Sequence, residues 1–205
     1  MSMVEMVKDY KLYHVTVTKP YKRAFAANQT VCAGNSYNPF FQFYENAREY
    51  CVTNRSTGAI IPVKAVAWLR QVQEGNIQVP PEALANNALE VARHYVMLCR
   101  ELLMEEIRRE EFNGDPPSRQ RCLYACETVA EAQFWNRRIG GGGTICELTC
   151  SGIIHRADAS LLLGDSEPLS VTKERARQYW RGEIGQNPEM ETLFVGEAVI
   201  TGFGL

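Results

Sequence analysis

Three histidines, at positions 14, 94 and 155, and seven cysteines are the side chains of this chain with the widest chemical range near neutral pH. His14 stands in the run Leu12-Tyr13-His14-Val15-Thr16, which is rich in aromatic and β-branched residues and reads as a strand. On a strand His14 and Thr16 point to one face. A polar pair on one face of an apolar strand either meets solvent or lines a cleft. His155 is followed by Arg156 and Asp158, a spacing that suits a local salt link or a site residue. His94 falls inside a long helical pattern and reads as structural. Cys122 and Cys126 form one C-x3-C pair, and Cys146 and Cys150 form another. Positions four apart on a strand share a face, so two neighbouring strands would gather four thiols into a zinc site. Structural zinc knuckles use C-x2-C or C-x4-C on turns, and these cysteines sit in apolar runs, so buried thiols are the favoured reading. The odd number of cysteines in a chain of this length also argues against a disulfide framework. No G-x-S-x-G, H-E-x-x-H, G-x-G-x-x-G or Walker A sequence occurs. Four glycines in a row, Gly140 to Gly143, lack the following Lys-Ser/Thr of a phosphate loop and read as a connector.

The elements that must position these residues follow from pattern. Lys11 to Thr18 is a predicted strand. Asn38 followed by Pro39 is an N-cap with a proline at the first helical position, opening a helix to about Tyr50. Pro62 to Gln73 reads as a short helix. Glu82 to Phe112 is a long one, with Leu84, Ala88, Val91, Tyr95, Leu98, Leu102 and Ile107 as its apolar stripe. Arg100, Glu101, Glu105, Glu106, Arg108 and Arg109 decorate its other side and read as a solvated face. Asn113 to Pro117 is a strong stop. Arg121 to Cys126 reads as a strand, Glu127 to Arg138 as an amphipathic helix, Thr144 to Ile154 as a strand or hairpin and Ser170 to Gly182 as a helix. Met190 to Phe203 is β-rich, with Gly196 as a turn or bulge. This order favours an α+β fold over a doubly wound parallel sheet. The whole chain, 1–205, reads as one domain with a helical lobe over about 37–112.

Composition limits the function. Lys+Arg at 22 against Asp+Glu at 24 gives a net charge of −2. That argues against a nucleic-acid binder relying on a broad basic surface. Apolar residues at 45% and charged residues at 22% are globular values, which excludes a disordered chain. No apolar run approaches the roughly 18 residues needed to span a bilayer. Met1 to Lys11 lacks the apolar centre of a secretory signal. The expected location is the cytoplasm, or a host cell reached by a route without a Sec signal.

Tyr124 lies in a strand that runs straight into a helix, Arg121-Cys122-Leu123-Tyr124-Ala125-Cys126 then Glu127-Thr128-Val129-Ala130-Glu131-Ala132, and Glu191 precedes the last apolar strand. Histidine on an early strand, tyrosine on a strand entering a helix of small residues and glutamate near the last strands resembles the H-Y-E pattern of the ADP-ribosyltransferase superfamily. The resemblance covers roughly 11–18 and 118–203 and leaves out the helical block. Glu189 and Glu197 are rivals to Glu191, and Val15 follows His14 where many relatives have glycine. The resemblance implies two packed, roughly orthogonal antiparallel sheets around a cleft for NAD as co-substrate. It implies that His14 bonds the adenosine-side ribose, with Thr16 lining the cleft, that Tyr124 stacks on nicotinamide, and that Glu191 holds the nicotinamide-ribose hydroxyl and orients the acceptor. These residue types suit the chemistry. Breaking the nicotinamide–ribose bond develops positive charge on the sugar, which a carboxylate stabilises. An aromatic face suits a flat cationic ring. Arg119, just before the tyrosine strand, is the candidate for the pyrophosphate, or else a solvated loop arginine.

The expected activity is therefore mono-ADP-ribosyl transfer to a protein. A bacterial effector group within the superfamily modifies a hydroxyl-bearing residue of ubiquitin, which makes ubiquitin the candidate acceptor and a toxin-like role the candidate biology. RNA 2′-phosphotransferases share the broad fold, but the charge balance weighs against an RNA substrate. Two alternatives differ in class. One is a non-catalytic binding module whose surface is the aromatic cluster Tyr37, Phe40, Phe41, Phe43 and Tyr44. The other is a zinc protein built on the four C-terminal-half cysteines.

Overall fold

The computed structural model describes residues 4–17, 25–54, 56–162 and 164–204. Among these the chain is α+β, with two antiparallel sheets. The strands are β1 (Val4–Thr16), β2 (Thr30–Ala33), β3 (Glu49–Thr53), β4 (Ile60–Lys64), β5 (Leu123–Ala125), β6 (Thr144–Asp158) and β7 (Met190–Phe203). The helices are α1 (Pro39–Glu45), α2 (Ala65–Gln73), α3 (Pro81–Glu111), α4 (Val129–Arg138) and α5 (Leu169–Trp180). None of these helices is long and apolar enough to cross a membrane.

The main sheet runs β1-β6-β7-β2, and β5 also pairs with β7. Both β2 and β5 use the same edge of β7, at different heights. β5 pairs with 192–194 and β2 with 196–199. Gly196 marks the boundary, and its partner across β6 is Gly152. A Cβ on Gly196 would lie 2.4 Å from the Ser151 carbonyl oxygen, and one on Gly152 would lie 2.2 Å from that of Val195. The two long strands thus press backbone to backbone at this point, which no other residue type permits. Gly196→Ala, which also meets a φ of +142°, should cost about 3 kcal/mol in chemical denaturation, through overpacking and strain. At the other end, Tyr13 and Cys126 exchange both backbone hydrogen bonds, at 2.8 and 2.7 Å. The β1 edge therefore meets the chain just beyond β5, and the sheet curls back on itself there.

The main apolar core covers one face of this sheet with Leu12, Cys146, Leu148, Cys150, Phe194, Ala198 and Ile200. A second core lies under α3 and α5, around Met104, Ile107, Cys122, Ala176, Trp180 and Leu193. Each patch is the apolar face of elements that cannot bury it alone.

Local signals in the sequence explain most boundaries. Asn38 caps α1, its side-chain oxygen accepting from the Phe41 N–H at 2.9 Å. Thr128 and Glu131 form a reciprocal capping box at the start of α4. Two expectations fail in the same stretch. The first helix stops at Glu45, and 49–53 and 60–64 pair as a hairpin, β3–β4, which is the second sheet. Glu49-Tyr-Cys-Val-Thr and Ile60-Ile-Pro-Val flank a turn built on Asn54, whose side-chain oxygen accepts from Ser56 and Thr57. β-branched residues around such a turn prefer the pleated form to a helix. The small second sheet therefore belongs to the helical lobe.

The charged side of α3 is the larger correction. Glu101, Arg100, Glu105 and Arg108 are buried rather than solvated. The 112–122 segment folds back along the helix and covers them. Arg108 donates to the carbonyls of Gly114 and Pro116, and Ser118 donates to Glu105 at 2.7 Å.

Candidate functional site

The junction of β1, β5 and β7 carries three of the sequence-predicted residues, but the register turns Tyr124 and Glu191 to one face of the sheet and His14, in step with Leu12, Ala125 and Cys146, to the other. His14 is on β1, Tyr124 on β5 and Glu191 on β7. His14 Nδ1 lies 2.7 Å from the carbonyl oxygen of Tyr124. A carbonyl can only accept, so Nδ1 carries the proton. Burial pushes the imidazole below its ordinary value and the carbonyl only partly offsets that. The ring is thus neutral near pH 7, and Nε2 is left as an acceptor. Leu193 stands opposite Tyr124 in the β5–β7 register, so Glu191, two residues along, shares that face with Tyr124.

Arg119 links the two. Its guanidinium lies 5.2 Å from the Tyr124 ring centre and 5.1 Å from that of Tyr179. It pairs with Glu191 through Nη1, with Glu101 through Nε at 3.0 Å, and donates to the Tyr179 hydroxyl at 2.7 Å. Tyr179 in turn donates to Glu191 at 2.7 Å. Arg100 closes the chain on Glu101 at 2.7 Å. Two carboxylates and two guanidinia are therefore gathered out of water with balanced charge. Burial alone would lower the Arg119 value, but Glu101 and Glu191 hold it well above the ordinary one. Arg119 is neither a solvated loop residue nor open to a pyrophosphate. Its fork is committed to two carboxylates, because the segment carrying it is pressed against α3.

Both contacts to Glu191 fall on Oε1. Among the described residues Oε2 has no hydrogen-bond partner. Glu191 is thus a carboxylate gripped by one oxygen with the other left over. It is 7% exposed. Its rivals stand elsewhere. Glu189 faces Arg138 at 3.6 Å, and Glu197 lies beyond the Gly196 bend, exposed, opposite Ser151 and Cys32. Thr16 ends β1 on the same face as His14, and among the described residues no hydrogen bond joins it to Tyr124 or Glu191.

The strand end that carries Glu191 is fixed from below by Asp158. Its carboxylate accepts from the backbone N–H groups of Ser160, Gly185 and Glu189, each at 2.8 Å. Burial would raise its value, but these donors hold it below the ordinary carboxylate range. Arg156 turns away from it, to Glu127 at 2.7 Å and Glu131 at 2.6 Å. The expected salt link of His155 with its two neighbours is therefore not made. His155 is fully buried, its ring 5.4 Å from that of Trp180.

Two members of the site had only weak sequence signals. Glu101 looked like one charge among many on a helix. Tyr179 looked like one apolar position of α5, and only its contact with Glu191 across the fold marks it.

The four cysteines of the zinc alternative are distributed among three clusters. Cys146 and Cys150 lie in the sheet core, Cys122 under α3, and Cys126 beside Ala132 and Ile145. Among the described residues no three His, Cys, Asp or Glu side chains are placed to hold a metal ion. Burial pushes the thiols of Cys126 and Cys150 up to about 12, so neither is a thiolate near neutral pH.

No curated protein shows significant similarity to the chain. Residues 12–202, a span that includes β5, α4 and all three site residues, match the family described as "Protein of unknown function (DUF2441)", and the chain belongs to that family.

Proposed function

We propose that the protein is a NAD-dependent mono-ADP-ribosyltransferase with a fold of that superfamily's type. The observation that carries this reading is the placement of Tyr124 and Glu191 on one face of the β5–β7 pair, with Glu191 Oε2 left without a partner among the described residues and His14 bonded to the same strand through the Tyr124 carbonyl. NAD, as co-substrate, supplies an N-glycosidic bond whose leaving base is already cationic. His14 Nε2 accepts from a ribose hydroxyl, since Nδ1 is held by Tyr124. Tyr124 is assigned to the flat base on the side of its ring that the Arg119 guanidinium, 5.2 Å from the ring centre, does not cover. The bond from ribose C1 to the nicotinamide nitrogen breaks and a bond from C1 to the acceptor oxygen forms. Glu191 stabilises the positive charge that grows on the sugar and takes the acceptor proton. The acceptor we propose is a hydroxyl side chain of ubiquitin, as in the bacterial effector group whose pattern this chain resembles, with action in a host cell reached without a Sec signal. The test is incubation of the protein with labelled NAD and ubiquitin, and separately with a eukaryotic lysate. Nicotinamide release with label on a protein supports the reading. Absence of both with every acceptor removes it.

A second reading has its own observation. Glu191 is nearly enclosed and Arg119 and Tyr179 both hold it, an arrangement that also suits a non-catalytic module of the same fold. Such a module binds its partner without consuming NAD, so the same incubation separates the two. Phe41, of the aromatic cluster assigned to that module, is buried, while Tyr37 and Phe43 are exposed.

A further inference from the structure

The outward side of α3 carries an apolar stripe that the fold leaves open. Ala85, Leu89, Ala92, Val96, Cys99 and Leu103 follow one another at spacings of 4, 3, 4, 3 and 4, the repeat that keeps one seam of a helix turned to a partner helix. α1, α2 and α5 pack on the other sides of α3, where Val91, His94, Met104 and Ile107 are buried. Along the stripe Ala85, Leu89, Ala92 and Cys99 are exposed, and Val96 and Leu103 are half-buried. Tyr95 and Leu102, beside it, are 44 and 48% exposed. An uncharged helix face of this length is what a second helix covers. These eight side chains offer on the order of 500 Å² per copy, so two copies joined here would bury about 1,000 Å², the lower limit of a specific interface. The exposed charges along α3, among them Glu90, Arg93 and Glu106, are mixed in sign, without the cationic rim of a helix that lies on a membrane. The order of sizes sets the direction. Leu89, Val96 and Leu103 alternate with Ala85, Ala92 and Cys99. Two parallel copies would set Leu beside Leu and Ala beside Ala, crowding one layer and leaving a gap in the next. Two antiparallel copies set Leu103 beside the partner's Ala85, Val96 beside the partner's Ala92 and Leu89 beside the partner's Cys99, and the two-fold axis repeats each contact. Every layer then joins one large and one small side chain, which fills the seam evenly.

We propose that the protein forms a two-fold dimer through this face of α3, a second copy of the chain packing antiparallel on the stripe. The interface is independent of the NAD reading, since it uses none of His14, Tyr124 and Glu191. Sedimentation equilibrium of the intact, reduced chain should show a monomer–dimer equilibrium with a Kd on the order of 10 μM. Ala92→Glu puts a charge into the central layer at an exposed helical position. It should raise that Kd at least tenfold, while the circular dichroism spectrum and the denaturation midpoint stay close to wild type. Cross-linking reads the direction. In Leu89→Cys, oxidation should join position 89 to the partner's Cys99, as located by peptide mapping. In the wild type the two Cys99 side chains would stand about 15 Å apart along the helices, too far for a disulfide, so no Cys99–Cys99 link should form. Four results overturn the proposal. One is a chain that stays monomeric at about 1 mM, whether or not phosphatidylcholine vesicles adsorb it. Another is a dimer that Ala92→Glu leaves unchanged. The third is a dimer in which Leu89→Cys gives no link to Cys99. The last is a Cys99–Cys99 link in the wild type, which parallel helices would give.

Discussion

Glu191→Gln should lower NAD-dependent nicotinamide release at least 100-fold while the protein still folds. The change removes one charge and no volume. If Glu191 stabilises the growing positive charge on the sugar, its loss removes a preorganised electrostatic interaction of about 3 kcal/mol in a site that excludes water. The fold should survive because Arg119 keeps Glu101 as its partner at 3.0 Å, and the Gln oxygen can still accept from Tyr179. Circular dichroism and a denaturation midpoint close to wild type would show that folding is retained. Unchanged turnover in this variant takes Glu191 out of the mechanism. A matching loss in Glu189→Gln or Glu197→Gln would move the role to another strand position.

Arg119→Met should destabilise the protein by about 3–5 kcal/mol at pH 7. The stem of Met fills the space, but Glu191 loses its cationic partner while Glu101 keeps only Arg100, and an unpaired buried charge is among the most costly single changes. The pH dependence carries the sign. In the wild type, burial pushes the Glu101 carboxyl up, but Arg119 and Arg100 outweigh it and the value is depressed. A depressed carboxylate contributes stability that is present above its unfolded value and lost as pH falls towards its folded one. Without Arg119 only Arg100 opposes burial, and the folded value rises. Protonation then relieves the variant, so its deficit relative to wild type should shrink between pH 7 and pH 4. Urea denaturation at both pH values measures this. A deficit that is constant or grows in acid would mean that Arg119 acts through packing rather than through charge. Glu191→Gln in the Arg119→Met background should recover part of the loss, since it removes the charge left unpaired.

Legibility from the sequence was uneven for physical reasons. The long helix, the strand that enters α4 and the final strand are visible because their signals are local: apolar period, β-rich runs, a proline stop. β2 is not, since its four residues are held by a pairing with β7 more than 160 positions away. The β3–β4 hairpin is hidden because Phe40, Phe43, Tyr44 and Ala47 carry a helical spacing up to the start of β3, and the turn around Asn54 pairs the two strands only in the folded chain.

Residue type and order alone determined the α+β class and the long helix, and through the H-Y-E resemblance they pointed to His14, Tyr124 and Glu191. Tertiary structure alone decided what surrounds them. Arg119 became the partner of Glu101 and Glu191, and Arg100, Glu101, Glu105 and Arg108 became interior while Glu106 and Arg109 stayed exposed, because the 112–122 segment folds back over that part of α3. Periodicity reports which side of a helix is polar. Whether water or another polar surface meets that side depends on chain segments far away in sequence, and no local pattern encodes their arrival.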